Sequence, residues 1–366
     1  MLKLILINIR NTLILLALAY FSIPIVTAAW SLLGPWFKKP DERAYLINYK
    51  NESWAELHFK ELRQLEGQLQ YRAYVIWRHK PYSGQTINID RAEGIRVTPP
   101  DPGLRATKAT YFFGGSAMWG LGASDEKTIP SYYQTLSRET AVNFAETGWT
   151  AHQSLNQLME VMAAGRKPAN VVFYDGVNEI YAKCSRGNNF FSHFSEKRID
   201  GALKYEPTEV GYYLQSIEAA AKSVATAIFG RNPDHKKVYD CNNNPQKADL
   251  VAEALVRDWM IAKYIAESNG ARFFAFLQPV AFLSKTRLSE LPPEELDAEF
   301  GEQYKTVYPL IRAKMKQRGI GIDMSGTVDL DGYFYVDFCH LSPNGNRIVA
   351  EAIRKAMTSP TPASGG

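Results

Sequence analysis

Cysteine and histidine are both scarce in this chain of 366 residues: there are three cysteines and six histidines. Cys184, Cys241 and Cys339 show no metal-ligand spacing, so a structural metal site or a metal-dependent reaction has no motif behind it. Cys184 and Cys241 share one polar stretch; they pair if that stretch reaches an oxidising compartment, or they fall there by chance. Basic runs with interleaved aromatics are missing and the formal net charge is only +4, which argues against a nucleic-acid partner. No internal repeat is present. Charge itself is missing from the amino end, where the 27 residues Asn11–Phe37 carry none. A spanning helix needs about 20 apolar residues, whereas a secretory signal needs an apolar core of only about 7–15. Val26-Thr27-Ala28 offers a cleavage site, but the length of the run, with Trp30 and Trp36 at its far end, favours an uncleaved anchor. Residues 1–37 are therefore expected to form a single transmembrane helix with the amino end inside and the rest of the chain exported.

What is present is ordinary for a globular protein, with 46% hydrophobic and 22% charged residues, enough for one large domain and appendages. Lys38–Arg43 reads as a charged linker. Trp54 to His79 carries Trp54, Leu57, Leu62, Leu65, Leu69 and Val75 at helical spacing, and Thr86–Asp90 alternates as a small β element does. From Thr107 onward strand and helix patterns alternate. Strands are predicted at Thr110–Phe113, Val142–Ala145, Val171–Tyr174 and Phe273–Leu277. Helices are predicted at about Ile129–Leu136, His152–Ala164, Ala248–Glu267, Leu296–Gln317 and Pro343–Met357. That alternation implies a mainly parallel sheet covered on both faces. It breaks across about 181–247, an insertion that includes an amphipathic stretch, Val210–Phe229, and is either a lid or acceptor surface or a decoration without function. Residues 359–366 read as a disordered tail. The expected organisation is thus 1–37 anchor, 38–106 linker, helix and β element, 107–358 catalytic domain, and tail.

Chemistry gathers at the strand ends. Thr110–Phe113 runs into Gly114-Gly115-Ser116, where a tight glycine turn presents a serine at the carboxyl edge of the sheet, the edge at which open α/β sheets bind ligands. A serine alcohol needs a base and a group to orient that base. His340 is the histidine placed for this: it follows the strand-like run Tyr333–Val336 and lies three residues after Asp337, a spacing that brings carboxylate and imidazole together on a turn. Two further strand ends offer oxyanion donors, Gly148 through its backbone N–H and Asn178 through its side-chain amide. Singly each is most often a turn residue; their order Ser, Gly, Asn, Asp-x-x-His is the signal.

Taken together these blocks resemble the SGNH (GDSL-like) hydrolase superfamily over roughly residues 107–358, with Gly115 where the GDSL name has aspartate and Glu179 where aspartate is common. The resemblance implies a three-layer α/β/α flavodoxin-like fold, no cofactor, and ester chemistry. Ser116 is then the nucleophile and His340 the base, oriented by Asp337, with Ser116 N–H, Gly148 N–H and the Asn178 amide as the oxyanion hole. Anchored, exported members often handle O-acetyl groups on surface carbohydrate. The first expectation is accordingly a membrane-anchored serine esterase acting on an acylated carbohydrate. The second is an O-acetyltransferase, which needs a polytopic acyl-donor partner or an external donor. A third is a silent carbohydrate-binding module, against which the intact Ser116, Asp337 and His340 set argues. A GxSxG-type hydrolase is disfavoured because no glycine stands two residues after Ser116. Tyr181, Phe190 and Phe191 are candidates to stack on sugar rings, although buried packing is the commoner role for any one of them.

Overall fold

The computed structural model describes residues 40–100, 108–186, 193–203 and 238–359, with a few isolated positions near the amino end. The expected membrane span, the Val210–Phe229 helix, Phe190 and Phe191, and residues 360–366 of the tail lie outside the described residues. Among the described residues no helix is long and apolar enough to cross a membrane. Contacts divide the chain into two units, Met1–Pro40 with Asp200–Lys236 and Asp41–Ile199 with Lys237–Gly366. The second unit holds the sheet and the site.

That unit is an α/β fold. Two 3₁₀ turns (Glu42–Tyr45 and Ile47–Tyr49) and helix α1 (Ala55–Leu65) lead into two small antiparallel pairs, β1 (Leu69–Arg72) with β2 (Ile76–His79), and β3 (Tyr82–Ser83) with β4 (Asn88–Ile89). The helical spacing predicted over Trp54–His79 thus holds only to Leu65. Gly67, at φ +78°, ends that stretch, and the β-forming run Val75-Ile76-Trp77 pairs as a hairpin strand.

The main sheet has five parallel strands, β5 (Thr110–Gly114), β6 (Ala141–Asn143), β7 (Asn170–Asp175), β8 (Arg272–Leu277) and β9 (Ile322–Asp323), in the order β6-β5-β7-β8-β9. Four follow the sequence expectation; β9 is two residues long and exposed, too short to leave a hydrophobic pattern. The helices between them are α2 (Ser116–Trp119), α3 (Ile129–Ser137), α4 (Ala151–Ala163), α5 (Val177–Lys183), α6 (Glu196–Leu203), α7 (Pro245–Ser268), α8 (Ala298–Arg318) and α9 (Pro343–Thr358). Their starts carry the expected caps: Thr128, Asn244, Asp297 and Ser342 each accept from a backbone N–H of the first turn.

Strand side chains alternate between two buried cores. Tyr111, Phe113, Val171, Phe173, Ala275 and Leu277 enter one, with residues of α4, α7 and α8. Phe112, Val172, Tyr174 and Phe276 enter the other, with residues of α1, α3 and α9. A strand buried on both faces explains why Tyr111-Phe112-Phe113 reads as a continuous apolar run. The strand order is the doubly wound one in which the chain reverses direction between β5 and β7, so a crevice opens at their carboxyl ends.

Candidate active site

Ser116 opens α2 directly after β5, and the turn that places it depends on close approach. A Cβ on Gly115 would lie 2.2 Å from Asn178 Nδ2, so the Asn178 amide rests against the backbone just before the serine. Asn178 comes from the first turn of α5, after β7, and its Nδ2 donates to Trp149 O at 2.7 Å. Gly148, one residue earlier in the loop after β6, takes φ +74°, a conformation that costs a side-chain-bearing residue strain. The structure therefore brings Ser116, Asn178 and the Gly148 loop together from three strand ends.

His340 completes the group from the loop before α9. Its Nδ1 lies 2.6 Å from Asp337 Oδ2 and its Nε2 lies 2.6 Å from Ser116 Oγ. An ionised carboxylate only accepts, so Nδ1 carries the proton and Nε2 accepts from the serine hydroxyl. Asp337 Oδ1 accepts from the backbone N–H groups of Cys339 and His340 at 3.0 and 2.8 Å. Burial alone would raise the Asp337 carboxyl, but His340, these backbone donors and Arg43 outweigh it and hold the group far below the usual carboxylate range. Asp337, Cys339 and His340 also form a His/Cys/Asp group whose ligand atoms lie within 4.8 Å of one another. Its donors do not suit a metal as they stand: both imidazole nitrogens are engaged, and burial followed by the charge of Asp337 pushes the Cys339 thiol well up, away from the thiolate a metal takes.

The Gly148 loop is held by residues far from the strand-end motifs. Trp77 Nε1 donates to Thr147 O at 3.0 Å, and Trp149 Nε1 donates to Trp77 O at 3.2 Å. Arg78, buried, donates to Phe144 O at 2.8 Å with its guanidinium 4.5 Å from the Trp149 ring. His79 Nδ1 lies 2.6 Å from Glu146 Oε1, and its backbone N–H donates to Glu146 Oε2 at 2.9 Å. Burial would raise Glu146, but His79 and then Arg78 more than offset it and keep the carboxylate ionised. The His79 ring also stacks on Trp119, the last residue of α2, with centroids 5.4 Å apart. Strand β2 thus touches both the Gly148 loop and the helix that Ser116 opens. Glu179 ties the turns after β6 and β7 together: its carboxylate accepts from Ala151 N at 2.5 Å and Gly176 N at 3.0 Å. None of these roles is visible in the sequence, where Trp77-Arg78-His79 carries no motif.

Among the described residues, three further histidines occupy other surroundings. His58 is buried between Thr86 and Leu121, and His152 lies 3.0 Å from Asp258. His193 packs on Trp77, with ring centroids 5.5 Å apart. Beside the loop, the half-exposed Phe194 lies within van der Waals reach of Gly148 and packs on Tyr181 at 4.7 Å. Cys184, at the end of α5, is joined to Cys241 in a disulfide, which closes the base of the insertion.

No family model and no curated protein matches the chain. Among solved structures it is similar to a carbohydrate acetylesterase from Sinorhizobium meliloti, at 13% identity and TM-score 0.38 over 68% of this chain and 98% of that one. It is similar also to a member of the lipolytic G-D-S-L family from Veillonella parvula, at 11% identity and TM-score 0.40 over 70% of this chain and 100% of the other. A GDSL-like lipase from Bacteroides thetaiotaomicron shares 15% identity and TM-score 0.36 over 68% and 87%. What the site can do is read from its own atoms.

Proposed function

We propose that this protein is a serine esterase of the SGNH type, exported and anchored by its amino end, that cleaves acyl esters, acetyl above all, on a cell-surface carbohydrate. The observation that carries the reading is the hydrogen-bonded chain Ser116 Oγ, His340 Nε2, His340 Nδ1, Asp337 Oδ2, with 2.6 Å at both links, at the carboxyl edge of the sheet. Ser116 Oγ attacks the ester carbonyl while His340 Nε2 takes its proton. Asp337 stabilises the imidazolium, and the oxyanion is met by the Ser116 and Gly148 N–H groups and the Asn178 amide. Collapse releases the carbohydrate alcohol, which takes the proton back from His340. Water, activated by the same imidazole, then cleaves the acyl-serine. The Cys184–Cys241 disulfide supports export, because such bonds persist in oxidising compartments.

A second reading, passage of the acyl group to a sugar hydroxyl, requires an acyl-donor partner or an external donor, and the Phe194 face beside Gly148 suits a carbohydrate in either reading. The test follows release of p-nitrophenol from p-nitrophenyl acetate by the full-length protein beside Ser116→Ala and His340→Ala. Turnover that both substitutions reduce by orders of magnitude supports the serine mechanism. Turnover equal in all three proteins contradicts it. Acetylated sugar in the products when soluble acceptors are added favours transfer over hydrolysis.

A further inference from the structure

Asp337 has a neighbour that belongs to none of the strand-end blocks. Arg43 Nη1 lies 3.6 Å from Asp337 Oδ2, the same oxygen that meets His340 Nδ1. Arg43 comes from the 3₁₀ turn Glu42–Tyr45, in the stretch that the sequence presents as a plain charged linker. Its guanidinium is gripped rather than loose. Nε and Nη2 donate to Asp41 Oδ1 and Oδ2 at 3.0 and 2.9 Å, and the group lies 5.0 Å from the Phe59 ring centroid. Asp41 also accepts from Arg43 N at 3.1 Å, capping the turn with the same carboxylate. The grip occupies two of the three guanidinium nitrogens, and the third faces Asp337. The next turn reinforces the placement: Asn48 Nδ2 donates to Tyr335 O at 2.6 Å, and Tyr49 Oη donates to Gly122 O at 2.5 Å.

We propose that Arg43 is a positioning residue for Asp337, which makes the segment ahead of the hydrolase-like domain part of the catalytic unit. The proposal rests on the Ser116–His340–Asp337 reading above. Asp337 Oδ1 is already filled by two backbone donors, so the orientation of Oδ2 toward His340 depends on what else holds that oxygen. A fixed cation there restrains the carboxylate and offsets part of its pull on the imidazolium. Other charged or titratable groups facing Asp337 are Tyr49 from the 3₁₀ turn Ile47–Tyr49, Glu295 from the 3₁₀ turn Pro293–Leu296, and Cys339 and His340 from its own loop. Burial pushes the Tyr49 hydroxyl and the Cys339 thiol well up, so both stay neutral through the working range, while Glu295 is raised by burial and by Asp337.

The full-length protein is assayed with p-nitrophenyl acetate across pH. Arg43→Met is expected to lower kcat by about 10–100-fold, up to the loss that a misplacement of about 1 Å brings, at unchanged KM because Arg43 acts through Asp337. The acid limb of kcat/KM moves to higher pH, because the imidazolium is no longer opposed by a nearby cation. Arg43→Lys restores most of both effects. The limb shift persists in a Glu295→Gln background, which separates it from the second titrating carboxyl. Asp41→Asn, which loosens the grip on the guanidinium, lowers kcat in the same direction by less, and serves if Arg43→Met folds poorly. A wild-type rate and an unmoved limb in these variants, with Ser116→Ala inactive, overturn the proposal. An active Ser116→Ala overturns the reading beneath it instead.

Discussion

His340 Nε2 lies 2.6 Å from Ser116 Oγ although 224 positions separate the two residues. The sheet makes the meeting possible. Ser116 is fixed at the end of β5, and His340 is presented by the loop whose continuation, α9, packs beside α3 on one face of that sheet. The pair is therefore a property of the folded domain, and its chemistry should disappear with single-atom changes that leave the fold intact.

Asp337→Asn is such a change. The amide keeps the shape of the carboxylate but presents a donor or a neutral acceptor to Nδ1, so the imidazole no longer holds the tautomer that accepts from Ser116. A loss of about 10⁴-fold in kcat is expected. Circular dichroism and thermal melting should show the fold retained, and a kcat within 10-fold of wild type would contradict the assignment.

Gly115→Ala tests the approach of Asn178. The new Cβ would sit 2.2 Å from Asn178 Nδ2 and 3.2 Å from Trp149 O, so the amide must leave its position beside the serine. Loss of one oxyanion donor is worth about 10²–10³-fold in kcat. Steady-state kinetics should show that loss in kcat and little change in KM; an unchanged kcat would mean that the amide takes no part.

His79→Ala should unfold the brace on the Gly148 loop. It leaves the fully buried Glu146 carboxylate with backbone donors but without its imidazole partner, and losing a hydrogen bond to a buried charged group costs about 1.5–3 kcal/mol. Urea unfolding would measure it. A cost below about 1 kcal/mol would show that the pair contributes little to the loop's stability.

His58 predicts how stability depends on pH. Its burial, then the nearby Arg96 charge, push its pKa down to about 3 from the ordinary 6.5. The unfolded chain therefore binds a proton that the folded chain refuses. The sign follows: no penalty above about pH 6.5, and a loss of up to about 1.4 kcal/mol per pH unit as pH falls from there toward 3. His58→Gln should flatten the wild-type fall in stability between pH 6.5 and 4; identical slopes would contradict the account.

Much of this fold was legible because its strands and helices are long and regularly patterned. The four principal strands lie within two residues of their expected bounds at every end, since a parallel strand buried on both faces cannot hide its apolar run. The site was legible where chemistry is local: Gly114-Gly115-Ser116 and Asp337-Phe338-Cys339-His340 are short segments whose own geometry matters. What the sequence hid is non-local. Arg43 reads as linker charge until Asp41, Phe59 and Asp337 surround it. Trp77-Arg78-His79 reads as the tail of a helix, because its partners Thr147, Phe144 and Glu146 lie on another strand end. Glu179, a departure from the family pattern, gains meaning only when Ala151 and Gly176 are seen to donate to it.

The most direct measurement is covalent labelling of the full-length protein with a fluorophosphonate, followed by peptide mapping. An activated serine displaces fluoride and keeps the phosphonyl group, whatever the natural ester. The account predicts one modified peptide, carrying the label on Ser116, with labelling abolished in Ser116→Ala and slowed by orders of magnitude in His340→Ala. Label on another residue, or equal labelling in His340→Ala, would contradict the central claim that Ser116 is a nucleophile driven by His340.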